Sequence, residues 1–239
     1  MHYNLLFNGC SFTEGVELEG IAEDYEYQRL HRFSHVVSEK TGLTYTNISR
    51  SGSSNERILR TTAEWFEEGN TCDHAIIQWT HRWRVEYFSN FNLLKTSINS
   101  NQKPKFFDII PRIKEIYNSR GNDLARNFIS IQNDSNDQHN EDRCMYWMEQ
   151  LLKDRCSFDY LKLRKENMNV GDRYYQLSPY YKYRTKFPIT YIVSDILKDS
   201  EVFFCKKIKG SIVLNGGHPN ALGHRRIADY IINNFDYFQ

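Results

Sequence analysis

Apolar residues in this chain fall into short runs and helical stripes that alternate along its first third. Leu5, Leu6 and Phe7 form the first run, which predicts a strand buried on both faces. Asn8 and Gly9 end it, and glycine there permits a sharp turn and close backbone approach. Glu14 to Gly20 reads as a polar loop. From Tyr27 to Lys40, Leu30, Phe33, Val36 and Val37 recur at helical spacing, with Gly42 placed for a C-terminal cap. Leu43 to Ile48 alternates as a second strand. Ser53 and Glu56 have capping-box spacing, so a helix is expected from there, with Ile58, Leu59, Thr62, Trp65 and Phe66 as its core-facing stripe. Ala75 to Trp79 is the third strand.

Strand, helix, strand, helix, strand is the rhythm of a parallel sheet. Right-handed crossovers place the first strand between the second and third. The expected fold is α/β: a three-layer sandwich with a mostly parallel sheet of about five strands in flavodoxin-like order, the first strand central. The middle of the chain is less regular. Thr96 to Lys105 is polar, Pro111 could open a short helix closed near Gly121, and Ser130 to Asp142 reads as a loop. Met145 to Lys153 is helical. Phe158 to Leu163 and Ile189 to Val193 compete for the next strand, and periodicity does not choose between them. Val202 to Cys205 and Ile212 to Leu214 are late strand-like runs. Asn220 can cap a final helix carrying Ile227, Ile231 and Phe235 on one face. With no repeat and no linker, residues 1–239 read as one domain, with an elaboration at about 89–188.

Composition narrows the function classes. Lys plus Arg number 31 and Asp plus Glu 30, so the balanced charge gives no support for a nucleic-acid or membrane partner. No apolar run has membrane-spanning length. The chain enters its first strand almost directly from Met1, which predicts no signal peptide and a cytoplasmic location. Five scattered cysteines without a CxxC pair imply reduced thiols, with no zinc site or other metal. No organic cofactor is implied.

Three segments carry candidate chemistry. Ser11 follows the first strand, on the sheet edge where ligands gather in open α/β folds. A serine there is a nucleophile only with a base and an oxyanion hole. Gly52 lies in a loop that opens beside a helix N-terminus, and His218 lies on the loop before the last helix, from which its ring could reach the same edge. A tyrosine-rich basic segment, including Tyr180, Tyr181, Lys182 and Arg184, suits a sugar-binding surface or a protein interface.

Around these residues the sequence resembles the SGNH (GDSL-like) hydrolases, over about residues 3–88 and 211–235. Gly9-Cys10-Ser11 stands where that family has Gly-Asp-Ser, Gly52 where it has its second-block glycine, and Asn215-Gly216-Gly217-His218-Pro219 where it has Asp-x-x-His-Pro. Gly-Ser-Ser-Asn in the second block looks like tailed-phage members, which would allow a virion location. The resemblance implies a serine esterase with Ser11 as nucleophile, His218 as base and Asn215 in the acidic position. The N–H groups of Ser11 and Gly52 would form the oxyanion hole. It implies a small ester or an O-acylated carbohydrate as substrate, with Tyr180, Tyr181 and Arg82 as candidate contacts. Two departures stand out. Asn215 adds no charge behind His218, and Trp79-Thr80-His81-Arg82 lacks the family's oxyanion asparagine, leaving Thr80 or His81 as stand-ins. The competing expectation is a catalytically degenerate binding or assembly protein, its partner held through the tyrosine-rich segment. Cys10 is expected as a small buried residue.

Overall fold

The computed structural model describes residues 4–16, 18, 25–80, 85–88, 106–109, 134–163, 188–197 and 218–239. Five strands form one parallel sheet: β1 (Asn4–Asn8), β2 (Thr44–Asn47), β3 (His74–Trp79), β6 (Ser157–Lys162) and β7 (Ile189–Tyr191). Their order is β2-β1-β3-β6-β7, so β1 lies inside the sheet as expected, although β3 is the middle strand. Both runs that competed for the fourth strand are used, side by side as β6 and β7. The pair β4 (Val85–Phe88) and β5 (Phe106–Ile109) forms a separate antiparallel ribbon that the pattern did not reveal.

Alternation along the strands divides the core in two. Leu5, Phe7, Ile76 and Leu161 pack with Phe33, Val36 and Val37 of α3 (Phe33–Thr41) and with Ile227 and Ile231 of α6 (Ala221–Asn234). Leu6, Ala75, Ile77 and Trp79 face the other way, onto Ile58 and Trp65 of α4 (Asn55–Glu67) and Met145, Met148 and Leu152 of α5 (Asp134–Leu152). The result is the expected three-layer sandwich. No helix among the described residues is long and apolar enough to cross a membrane.

Four local expectations are corrected. Ser11 opens a single helical turn, α1 (Ser11–Glu14), closed by Gly15 at φ +82°, where a loop was expected from Glu14. The helix expected from Tyr27 to Lys40 is broken into α2 (Tyr25–His31) and α3 by Arg32, whose backbone is extended. The break exposes the first N–H of α3, and a remote imidazole takes it: Phe33 N–H donates to Nδ1 of His224 at 3.1 Å. The N-cap of α4 is Ser54, whose hydroxyl accepts from Arg57 N–H, while Ser53 closes the preceding turn. Finally, α5 begins at Asp134, inside the stretch read as a loop. The runs at 202–205 and 212–214 and the helix at Pro111 lie outside the described residues.

Candidate active site

The carboxyl ends of β1, β2 and β3 converge on the turn that carries Ser11. Asn8 ends β1 with a buried carboxamide. Its Nδ2 donates to Ile58 O at 2.9 Å and to the Thr62 hydroxyl at 2.8 Å, tying the strand to α4, and its Oδ1 accepts Gly9 N–H. Gly9 then passes so close to β3 that an added Cβ would lie 2.4 Å from Thr13 Oγ1 and 2.8 Å from Gln78 Oε1. Gln78 is fully buried, and its Oε1 accepts from Cys10 N–H (3.1 Å), the Cys10 thiol (3.2 Å) and the Thr13 hydroxyl (3.0 Å). One amide oxygen of β3 thus fixes both ends of the turn that holds Ser11. Cys10 is fully buried and its sulfur is a free thiol in this network.

The Gly52 loop is built onto the same turn. Arg50 N–H donates to Gly9 O, and Ser51 N–H donates to the carboxylate of Glu14. Ser53 N–H returns to Arg50 O, closing a four-residue turn with Gly52 third, at φ +78°. That position suits glycine because a side chain there would strain the backbone. Asn47, at the end of β2, braces the arrangement by donating to Thr13 O and the Ser34 hydroxyl. Neither Ser11 N–H nor Gly52 N–H has an acceptor among the described residues.

His218 comes from the far end of the chain. Asn220 caps α6 by accepting Gly223 N–H, which sets the loop before it. From there the His218 ring packs against Phe12, centroid to centroid 5.3 Å, and its Nε2 stands 2.7 Å from Ser11 Oγ. Across 207 positions of sequence, the two groups are at direct hydrogen-bond distance. Ser11 is buried, at 4% exposure. In the first turn of α6 lies His224, fully buried and stacked on Phe33. Burial, with help from His218 and Arg32, pushes the His224 imidazole down to about 3, so it is neutral and available as an acceptor.

No protein-family model matches the sequence, and no curated protein matches it. Solved structures do. The esterase EstA of Pseudoalteromonas sp., in a structure inhibited by monoethylphosphonate, aligns over 98% of this chain and 97% of its own, at 12% identity and a TM-score of 0.51. A carbohydrate acetylesterase family member from Sinorhizobium meliloti covers 99% of this chain and 98% of its own, at 10% identity and a TM-score of 0.51. A G-D-S-L lipolytic family protein from Desulfitobacterium hafniense covers 96% and 98%, at 10% identity and a TM-score of 0.50. The fold is that of the SGNH (GDSL-like) hydrolases. At these identities the likeness is one of fold, and the site must be argued from its own residues.

On this SGNH-type sheet edge, Ser11, Gly52 and His218 belong to one connected set of contacts. Thr80 also lies at that edge, but its backbone N–H is committed to Asn55 Oδ1 at 3.0 Å and the residue is fully buried. Asp195 accepts Tyr191 N–H in its own turn, at 2.7 Å. Asn215, His81, Arg82, Tyr180 and Tyr181 lie outside the described residues. The sequence reading missed Gln78, Asn8, Glu14, Asn55 and His224. A clue was present for the first two, since each is an amide that directly follows a buried apolar run of three residues near the carboxyl end of its strand, where a buried polar group must have partners. Among the described residues, no three His, Cys, Asp or Glu side chains gather where a metal ion could sit.

Proposed function

We propose that this protein is a serine esterase of the SGNH type that hydrolyses an O-acyl ester. The observation that carries the reading is the 2.7 Å contact between Ser11 Oγ and His218 Nε2 on the sheet edge. With the ring hydrogen on Nδ1, Nε2 is a base placed to take the serine proton. Ser11 Oγ would bond to the acyl carbon while the carbonyl π pair moves to oxygen and the proton passes to Nε2. Collapse of that intermediate expels the alcohol, which takes the proton back from His218. Water, deprotonated by the same ring, then releases the acid and restores the serine. The N–H groups of Ser11 and Gly52, which have no acceptor among the described residues, are the proposed donors to the oxyanion.

An O-acylated carbohydrate is the proposed substrate class, supported by the Sinorhizobium meliloti structure and by the tyrosine-rich segment at 174–183. Asn215 is the proposed ring-orienting partner of His218. An acid there would add charge stabilisation to the imidazolium, so Asn215→Asp should raise turnover, by about tenfold or more, given the roughly 10⁴-fold cost of the reverse change in a protease triad. The departure at that position favours a second reading, a binding protein that has lost catalysis. Hydrolysis of short-chain aryl esters by wild type and Ser11→Ala separates the two. The esterase reading expects activity that Ser11→Ala abolishes; equal rates would remove Ser11 from the mechanism.

A further inference from the structure

An oxyanion is held best by donors fixed in place before the charge develops, and a buried amide with nothing to donate to is such a group. Asn55 is the first residue of α4, three positions after Gly52, and is 2% exposed. Its Oδ1 accepts Thr80 N–H at 3.0 Å, and its buried Nδ2 has no hydrogen-bond partner among the described residues. The amide orientation is settled by that bond, because the reverse orientation would set two donors against each other. Leaving such a donor unsatisfied is costly, and service to a ligand or a reaction is one reason a fold keeps such a group.

Connectivity ties this amide to the serine turn by two routes. Through Gly52, Asn55 belongs to the loop that is bonded to Gly9 O and Glu14 of the serine turn. Through Thr80, it is joined to the end of β3, two residues from Gln78, whose Oε1 holds Cys10 N–H next to Ser11. Its enclosure does not remove it from the chemistry. Ser11, the proposed nucleophile, is nearly as enclosed, at 4% exposure.

We propose that the Asn55 carboxamide is the third oxyanion donor of this site, its Nδ2–H joining the N–H groups of Ser11 and Gly52. The inference rests on the esterase reading above and assigns the side-chain donor that no residue at 80–82 has been shown to supply. Asn55→Asp is the discriminating variant. It keeps the acceptor for Thr80 N–H, and an anion at the first position of a helix is well tolerated, but it replaces the donor by an oxygen. Asn55→Ala, which removes both roles, is the companion. Thermal unfolding checks that each variant is folded.

The readout is the rate of covalent labelling by a fluorophosphonate, followed by intact mass. Ser11 Oγ bonds to phosphorus, fluoride leaves and the hydroxyl proton passes to His218, so the phosphoryl oxygen develops charge where an ester carbonyl would. The proposal expects both variants to label about 10²–10³ times more slowly than wild type, with kcat on an aryl ester falling in parallel and KM little changed. Labelling of either folded variant at the wild-type rate would overturn the role of Asn55 and leave the esterase reading intact. No labelling of wild type would overturn both.

Discussion

At the scale of single residues, side chains matter here through the atoms they leave no room for or no partner for. Gly9 was legible as a close-approach glycine, and the structure shows what it approaches. Gly9→Ala must push against Thr13 and Gln78, while Gly42→Ala meets open space and carries only the strain of its φ of +71°. We expect Gly9→Ala to lower the unfolding midpoint in urea more than Gly42→Ala and to slow ester hydrolysis, with Gly42→Ala leaving hydrolysis unchanged. His224 was not legible as a structural acceptor, because nothing local signals that its ring caps a helix begun 191 positions earlier. Its imidazole is near 3 in the fold against 6.5 when free, so between those values the unfolded chain binds the proton that the folded chain refuses. Stability from this residue is therefore full above pH 6.5 and is lost as pH falls toward 3. At about pH 5 the loss is on the order of 2 kcal/mol. Urea titrations at about pH 5 and pH 8 should show this drop in wild type and a smaller one in His224→Gln. An equal drop in both would clear His224 of it.

Elements follow the sequence where packing and local preference agree and depart from it where a buried contact decides. The strands β1 and β3 were plain because their apolar runs are buried on both faces. The break between α2 and α3 was hidden because Leu30, Phe33, Val36 and Val37 keep helical spacing through it. The start of α5 was hidden by Asn, Asp and Ser, weaker helix formers in isolation, in residues 130–142. The helix reaches its buried Glu141 and Asp142, and Glu141 pairs with Lys162 at the end of β6, both side chains being buried. A buried pair is strongly destabilised when one charge loses the other, by about 3–5 kcal/mol. Lys162→Met alone should therefore cost far more stability in urea than Lys162→Met combined with Glu141→Leu. If the double variant is as unstable as the single, the pair is not what ties α5 to the sheet.

On the scale of the whole molecule, the parallel sheet brings residues from three distant segments to one edge. The fold class and the convergence of Ser11, Gly52 and His218 on one edge could be read from the sequence, since glycine placement, strand ends and the His-Pro segment carry them. The supporting amides could not, because their partners are fixed only when β1, β3 and α4 meet. Gly52→Ala tests that assembly: forcing a side chain into φ +78° should cost about 1–2 kcal/mol and cut turnover by displacing the proposed donor. Thermal unfolding and aryl-ester kinetics read the two effects separately, and unchanged turnover would remove Gly52 from the oxyanion site. The central claim, that Ser11 and His218 act as nucleophile and base, is tested most directly by peptide mapping after fluorophosphonate treatment of wild type and His218→Ala. The account predicts the phosphonyl group on Ser11 in wild type and its uptake nearly abolished in His218→Ala. A label on any other residue, or equal uptake by the two proteins, would contradict it.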